Sequence, residues 1–196
     1  MKLKRATWIL LATALVLGGF VYFNEVEGVK QRAVQKEETQ RVFVLNEDNI
    51  ERFTIERDRQ ILQFERTSNP DRPWQMKRPE DVPASEPAVS FLLNLLARGK
   101  RAPLRGSEQE RAFTIAQKDL AQYGLDKPLA TVTIFLKEQV QPHKLILGKP
   151  SFDEKYLYAL IDPPAGAVPE LAVALVPVDF KYAVERDLQE WKDTSK

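Results

Sequence analysis

Residues able to do enzyme chemistry are scarce in this chain. It has no Cys and a single His, His143, which excludes thiolate zinc sites, iron–sulfur clusters, cysteine nucleophiles and a His-rich metal site. It also lacks the sequence motifs of a serine-hydrolase elbow, a phosphate-binding loop, a dinucleotide-binding loop and a zinc protease. His143 follows Pro142 beside a predicted strand, so we interpret it as a partly exposed strand-end residue and not as the base of a catalytic triad.

Two pairs of adjacent carboxylates, Glu47-Asp48 and Asp153-Glu154, are the remaining candidates for acid–base chemistry. A glycosidase holds its two carboxyl groups about 5–9 Å apart across a cleft, whereas neighbours in a turn point apart and stay solvated. We interpret both pairs as turn formers, with a carboxylate-dependent hydrolase as the least favoured alternative. The sequence therefore predicts a protein that is not an enzyme and that uses no cofactor or metal.

Two segments could bind a partner. The loop 162–169 is apolar and stiffened by proline, so it loses little entropy on binding. A basic cluster that includes Arg105 follows a predicted helix and could contact phosphate, lipid headgroups or an acidic partner. A rigid connector and a solvated sheet edge are the alternatives for these two segments. The predicted partner-binding residues are Pro163, Pro164, Val168, Arg98, Lys100 and Arg101.

The elements that must position these residues begin with an apolar N-terminus. Residues 6–23 carry no charge, and as a helix with a rise of ~1.5 Å per residue they would span about 27 Å, close to the ~30 Å hydrocarbon core of a bilayer. Basic residues precede this run and acidic residues follow it, so the N-terminus is expected to stay cytoplasmic and the remainder to be exported. The residues expected to anchor the helix are Trp8, Leu11, Leu15, Phe20 and Tyr22.

A cleaved signal peptide and a buried core helix are the alternatives for this segment. Residues 21–25 offer none of the small side chains that a cleavage site requires, and the basic start argues against a core helix. The expected organisation is a cytoplasmic tail (1–5), a transmembrane helix (6–23), a polar stalk (24–40), an exported domain (41–192) and a short tail (193–196). A formal net charge of +1 argues against nucleic acid as a partner.

Apolar periodicity in the exported part predicts mostly strands. Three further segments are predicted to be helical, wholly or in part. Residues 85–98 are expected to form a nearly all-apolar helix capped by Ser85, and residues 107–122 to be partly helical. The end of the chain is expected to form a closing helix that begins at Asp179 and carries on one face Phe180, Val184, Leu188 and Trp191. Strands that follow one another with few helices between them indicate an α+β domain with a mostly antiparallel sheet and a few packed helices. The predicted strands are 41–45, a hairpin over 50–66, 74–77, 130–136, 143–147, 156–161 and 171–176.

Several of these pieces together resemble the bacterial domain of unknown function 4340 (DUF4340), over roughly residues 42–190. The hairpin, the apolar helix and Trp74 with Pro79 contribute to the resemblance. Its more specific parts are Tyr123-Gly124-Leu125-Asp126-Lys127-Pro128, Leu145-Ile146-Leu147-Gly148-Lys149 and Tyr156-Leu157-Tyr158. In these motifs Gly124 is expected at a positive φ and Gly148 at a strand-end turn. The resemblance implies a membrane-anchored or exported protein, encoded beside ABC-type transport components related to gliding-motility auxiliary proteins. It also implies a short single-anchor member of the kind familiar from cyanobacteria, with no catalytic residues to carry over.

We therefore expect a single-pass protein of the inner or thylakoid membrane whose periplasmic or lumenal domain is a non-catalytic accessory subunit. Its expected partners are the lipid bilayer and an integral membrane complex, foremost an ABC-type transport assembly. One alternative is an assembly or stability factor of a photosynthetic complex in the thylakoid. A second is an exported module that binds a small molecule or glycan in a pocket formed by Trp74, Tyr156 and Tyr158.

Overall fold

The computed structural model describes residues 37–104, 106–107 and 109–194. The chain forms two compact units, Met1–Thr39 and Gln40–Lys196. The expected cytoplasmic tail, the transmembrane helix and most of the stalk fall in the first unit, where only residues 37–39 are described, and these are helical. In the described ranges, no helix is both long enough and apolar enough to cross a membrane.

The second unit is built on one antiparallel sheet, which confirms the predicted α+β class. Its described strands lie in the order β4-β3-β2-β1-β6-β7-β8-β9-β5, and neighbouring strands pair antiparallel. The strands are β1 (Ile50–Arg57), β2 (Gln60–Arg66), β3 (Trp74–Arg78), β4 (Val82–Pro83), β5 (Ala112–Ala116), β6 (Ala130–Leu136), β7 (His143–Pro150), β8 (Tyr156–Ile161) and β9 (Glu170–Pro177). The helices are α1 (Glu86–Arg98) and α2 (Asp179–Val184), with 3₁₀ helices η1 (Glu47–Asn49), η2 (Gln117–Tyr123) and η3 (Leu188–Trp191).

The β1–β2 hairpin forms as its alternation predicts. On β1, Phe53 and Ile55 are fully buried, whereas Glu56, which points to the other face, is exposed. Asp58 and Arg59 make the connection with φ of 46° and 65°, the left-handed backbone of a two-residue hairpin turn whose twist matches that of the strands.

Helices cover one face of the sheet and form the main core. Cross-strand pairing aligns apolar side chains in rows, with Phe53 opposite Phe64 on β2 and Ile134 on β6. The helix α1 packs into the same cluster through its buried residues Ala88, Val89, Leu92, Leu93 and Leu96. Phe180 of α2 and Trp191 of η3 complete the core, both without exposed surface. The exposed positions Ser90, Asn94 and Arg98 form a narrow polar stripe on α1.

A smaller apolar cluster lies on the opposite face, at the β7-β8-β9-β5 end of the sheet. Its buried members are Ile115, Leu125, Leu160 and Val173, and partly buried side chains including Tyr123 and Tyr158 pack around them. Helix η2 follows β5 directly and contributes Leu120 and Tyr123 to this cluster. The strands at this end are therefore buried on both faces, which explains why β8 has apolar residues at consecutive positions.

One predicted element is wrong in type, and a second, predicted to be partly helical, is helical only over η2. Residues 41–45 do not form a strand: Arg41 makes only an isolated bridge to Lys100, and residues 42–45 pair with no described strand. The segment 107–122 contains the strand β5 before η2, because Ala112–Ala116 pairs along the edge strand β9.

The closing helix is interrupted. It ends at Val184 and restarts at Leu188, because the guanidinium of Arg57 donates to the backbone carbonyls of Val184 and Arg186. A capping box between Asp187 and Glu190 then starts η3.

Three smaller expectations also differ from the structure. Ser85 precedes α1 but makes no side-chain cap. Phe91 on α1 is 36% exposed, so this helix is less completely covered than its composition predicts. Gly148 lies within β7 and not at its end.

The main core predicts which positions carry stability. Phe64 is fully buried, stacks on Phe53 with 4.7 Å between ring centroids, and packs at a tilt against Trp191 with 4.9 Å between centroids. We expect Phe64→Ala to lower the free energy of unfolding by about 3–5 kcal/mol, because it leaves a cavity among these rings. Ile61→Ala on the same strand is the control, since Ile61 is 42% exposed, and it should cost about 1 kcal/mol. Urea unfolding followed by circular dichroism measures both values, and equal losses would contradict this assignment of the core.

Candidate functional site

Of the two carboxylate pairs, Asp153-Glu154 lies in a turn, as predicted, whereas Glu47-Asp48 lies in the 3₁₀ helix η1. Glu47 opens η1 and lies 3.5 Å from the Nε of Arg98. Asp153 accepts hydrogen bonds from the Ser151 hydroxyl (2.7 Å) and the Lys155 N–H (3.3 Å). These bonds, the hydroxyl first, lower the pKa of Asp153 below its ordinary value, so the group stays ionised. A general acid needs the opposite shift.

His143 is a strand-end residue, as predicted, and its partners are structural. Its Nδ1 lies 2.7 Å from a carboxylate oxygen of Asp162, and its ring meets Phe43 edge-on at 5.4 Å between centroids. The other carboxylate oxygen of Asp162 accepts from the Lys144 N–H (2.7 Å). In the part of the chain that is described, no hydroxyl hydrogen-bonds this imidazole and no three potential ligands gather around a metal position.

The loop 162–169 connects β8 to β9 and is fixed at both ends. Asp162 has a φ of 45° and bonds to β7, and the Gln117 N–H donates to the Pro169 carbonyl (3.0 Å). Of the three loop residues predicted to bind a partner, Pro164 is exposed, whereas Pro163 and Val168 are partly buried. The surface that this loop offers is therefore centred on residues 164–167.

The basic cluster lies where residue 40 joins the domain. The Arg101 N–H donates to the Gln40 carbonyl (2.7 Å), and Arg41 bridges Lys100. Arg98 and Lys100 are exposed and Arg101 is partly buried, while Arg105 lies outside the described residues. The sequence reading missed two members, Arg41 and Arg111.

Arg111 could not be found from its spacing, because a chain reversal brings it to the cluster from ten positions beyond Arg101. The Leu104 N–H donates to the Glu110 carbonyl (2.9 Å). The dipeptide Gly106-Ser107 is the sequence feature that could have predicted this turn.

The predicted loop and the basic cluster form two separate surfaces. The loop ends where β9 begins, at Glu170, whereas the Ala102 N–H, next to Arg101, bonds to the Leu175 carbonyl (2.8 Å). Glu170 and Leu175 are about 16 Å apart along the strand, at ~3.3 Å per residue. A single small partner could therefore not contact both the loop and the basic cluster.

The glycine of each motif packs against residues of the other motif. Gly124 ends η2 with a φ of 68°, as expected, and a Cβ there would lie 2.8 Å from the Lys149 nitrogen. A Cβ on Gly148 would lie 2.3 Å from the Tyr123 carbonyl oxygen. The two motifs therefore serve architecture, because they let one backbone rest on the other.

The aromatic pocket of the ligand-binding alternative does not form. Trp74 is buried in the main core against Phe53, at 5.3 Å between ring centroids. Tyr158 packs against Tyr123 at 4.9 Å, on a strand that β2, β1, β6 and β7 separate from β3. Trp74 and the tyrosines of β8 therefore cannot line one binding pocket.

A protein-family model described as "Domain of unknown function (DUF4340)" matches residues 74–195. The match covers more than half of the chain and includes both glycine motifs, but it starts after the β1–β2 hairpin, which the resemblance had included. No curated protein and no solved structure matches the chain.

The close packing at Gly124 can be tested against a matched control, Gly166. Gly124 and Gly166 both have positive φ, 68° and 94°, but only Gly124 is crowded, since nothing lies within 4 Å of a Cβ on Gly166. Both Gly→Ala variants should lose about 1–2 kcal/mol to backbone strain, and Gly124→Ala about 1–3 kcal/mol more to overpacking. Chemical unfolding measures the difference, and equal stabilities would show that the two motifs do not need this contact.

Proposed function

This chain belongs to the DUF4340 family, and we propose that it is a membrane-anchored, non-catalytic interaction subunit of a larger membrane complex. The complex we propose is an ABC-type transport assembly, the partner that the resemblance implies. The domain would work on the exported side of the membrane, attached through residues 6–23.

The observation that carries this proposal is the place where the N-terminal segment enters the domain. Gln40 and Val42 hydrogen-bond the backbone of Arg101 and Gly99 at 2.7 and 2.8 Å, and Arg41 bridges Lys100. The basic cluster is therefore the part of the domain that chain connectivity keeps nearest to a tether at residue 40. A subunit held in a membrane meets its partners first at such a place.

The side chains of the cluster suit an acidic surface on a partner. Arg98 is 73% exposed, and its contact to Glu47 is 3.5 Å long. An exposed ion pair of this kind contributes only about 0–1 kcal/mol, so a carboxylate on a partner could replace Glu47 at little cost. Complementary charge of this kind accelerates association and selects among partners.

The non-catalytic part of the proposal rests on how the reactive groups are used. His143, Asp153 and Asp162 each hold a turn or a strand end in place through hydrogen bonds of 2.7 Å. A catalytic group must instead have a reactive atom directed at a substrate.

The anchor can be tested by placing charge in the apolar run. Each Arg at the centre of a membrane helix costs about 2.5–3.5 kcal/mol, so the double variant Leu11→Arg/Leu15→Arg should leave the membrane fraction. The conservative double variant Leu11→Ile/Leu15→Ile should stay there with the unaltered chain. Cell fractionation with a carbonate wash and an antibody against a C-terminal tag measures the distribution. An unaltered chain found in the soluble fraction would disprove the anchor.

The partner can be tested by reversing charge at the cluster. The full chain, purified in a mild detergent, should bring with it integral membrane proteins of an ABC-type transporter. Arg98→Glu/Lys100→Glu should reduce their recovery about tenfold, a change of about 1.4 kcal/mol. Lys118→Glu/Lys137→Glu makes the same charge change at exposed positions elsewhere and should not reduce it. Isolation of a monomer without a membrane protein, or equal losses in both variants, would contradict the proposal.

A further inference from the structure

One end of the sheet is covered by α2. The Val178 N–H, just before this helix, donates to the Lys155 carbonyl (3.0 Å) in the turn between β7 and β8. At the other end of α2, the guanidinium of Arg57, the last residue of β1, donates to the Val184 carbonyl. The helix therefore runs along the ends of the strands from β9 to β1. We call the surface formed by α2 and the turn 151–155 the α2 end.

The α2 end carries two exposed aromatic side chains. Phe152, in the β7–β8 turn, is fully exposed (103%), and Tyr182 on α2 is 62% exposed. Residues close to them in the chain, Pro150 and Lys181, line the same cleft of about 220 Å³, so the two aromatics belong to one area of the surface. Each ring keeps apolar area in water, and a contact that covers this area is favourable.

The turn that presents Phe152 is fixed before any contact forms. The Ser151 N–H donates to the Tyr156 carbonyl (2.7 Å), and the Ser151 hydroxyl donates to the Asp153 carboxylate (2.7 Å). The Tyr156 N–H donates to the oxygen of that hydroxyl (3.1 Å). Because these bonds fix the backbone on both sides of Phe152, little conformational entropy is lost when its ring is covered.

The N-terminal segment enters the domain beside α2. The Val42 N–H donates to the Gly99 carbonyl (2.8 Å), and the ring of Phe180 on α2 lies 3.4 Å from the position that a Cβ on Gly99 would take. Residues 24–39 connect this junction to the apolar run, and at ~3.5 Å per residue they reach at most about 55 Å. A tether of this length gives the domain a high effective concentration at the bilayer surface, so a few apolar contacts suffice to hold it there.

The charges around the two aromatics favour lipid headgroups as the occupant. An acidic or a basic protein surface would meet like charges here, because both signs are present. A zwitterionic headgroup also carries both signs, and aromatic side chains concentrate at the interface between membrane and water. The charged residues within three positions of either ring are Lys149, Asp153, Glu154, Lys155, Asp179, Lys181 and Glu185.

We propose that the α2 end rests on the surface of the bilayer, with Phe152 and Tyr182 in the headgroup region. The partner is a zwitterionic lipid surface, and the contact is mainly apolar. This inference rests on the proposed anchor, because the tether supplies the effective concentration. It adds an orientation of the domain that attachment to a membrane does not by itself require.

The test uses the absence of Cys from the chain, which allows a dye to be attached at one chosen position. Phe152→Cys and Val140→Cys form a matched pair, because both side chains are fully exposed (103% and 98%) in the two turns that flank β7. The length of β7 separates these turns by about 23 Å, at ~3.3 Å per residue. Each full-chain variant is labelled with an environment-sensitive dye and reconstituted into phosphatidylcholine vesicles that contain a lipid spin-labelled near its headgroup, which quenches a dye close to the bilayer.

Quenching should be at least threefold greater for the dye at Phe152→Cys than for the dye at Val140→Cys. A second comparison tests the Phe152 side chain itself, with the dye at Tyr182→Cys. Adding Phe152→Ser should reduce the quenching of this dye at least twofold, because the ring no longer holds the α2 end on the bilayer. Adding Val140→Ser, which removes an equally exposed apolar side chain, should leave the quenching unchanged.

Flotation of the vesicles separates this inference from the proposed anchor. A chain that does not float with the vesicles disproves the anchor and this contact together. A chain that floats but shows equal quenching at the two turns, or greater quenching at Val140→Cys, overturns the contact and leaves the anchor standing. Low quenching at both turns is the result expected for a protein occupant, since the vesicles contain no other protein. The contact is also overturned if Phe152→Ser has no effect.

Discussion

The second face of the sheet depends on the close approach of Gly124 to Lys149 and of Gly148 to Tyr123. Only residues without a Cβ allow the turn after η2 to rest on the backbone of β7. This contact holds η2 over the smaller apolar cluster, and since η2 follows β5 directly, it also limits where β5 can lie. The edge strand β5 in turn fixes the position of Arg111. A close backbone approach between two short motifs thus limits the position of an edge strand, with β8 and β9 between β7 and that strand.

The burial of α1 changes how its composition should be interpreted. A helix with so many apolar residues must be covered on most sides, and a partner protein was one way to cover it. In this domain the sheet, α2 and η3 supply that cover, and Phe91 is the main apolar side chain of α1 left partly exposed. The composition of α1 is therefore no argument for a partner, and the interaction proposal depends on the basic cluster instead.

The strands could be predicted from the sequence where the alternation of apolar and polar side chains alone determines them. The alternation in β1, β2 and β6 reports which side chains face the helices, and the hairpin turn follows from Asp58-Arg59. Local patterns failed where distant groups decide the outcome. Arg57 interrupts the closing helix from a strand more than a hundred residues away, and β5 is a strand only because β9 offers it an edge. The site beside Arg101 was only half predictable for the same reason, since Arg111 reaches it through a fold-dependent turn.

The guanidinium of Arg111 differs from those of two other partly covered arginines, because its Nε and Nη1 have no hydrogen-bond partner in the described part of the chain. Arg57 and Arg66 are also partly covered, but each donates to two backbone carbonyls, so their charges are solvated by the protein. The guanidinium of Arg111 could have been solvated in the same way, or replaced by an apolar side chain of similar length, at a gain in stability. The Nε of Arg186 and the Nε1 of Trp191 are also buried without a partner among the described residues, so this cost is not confined to Arg111.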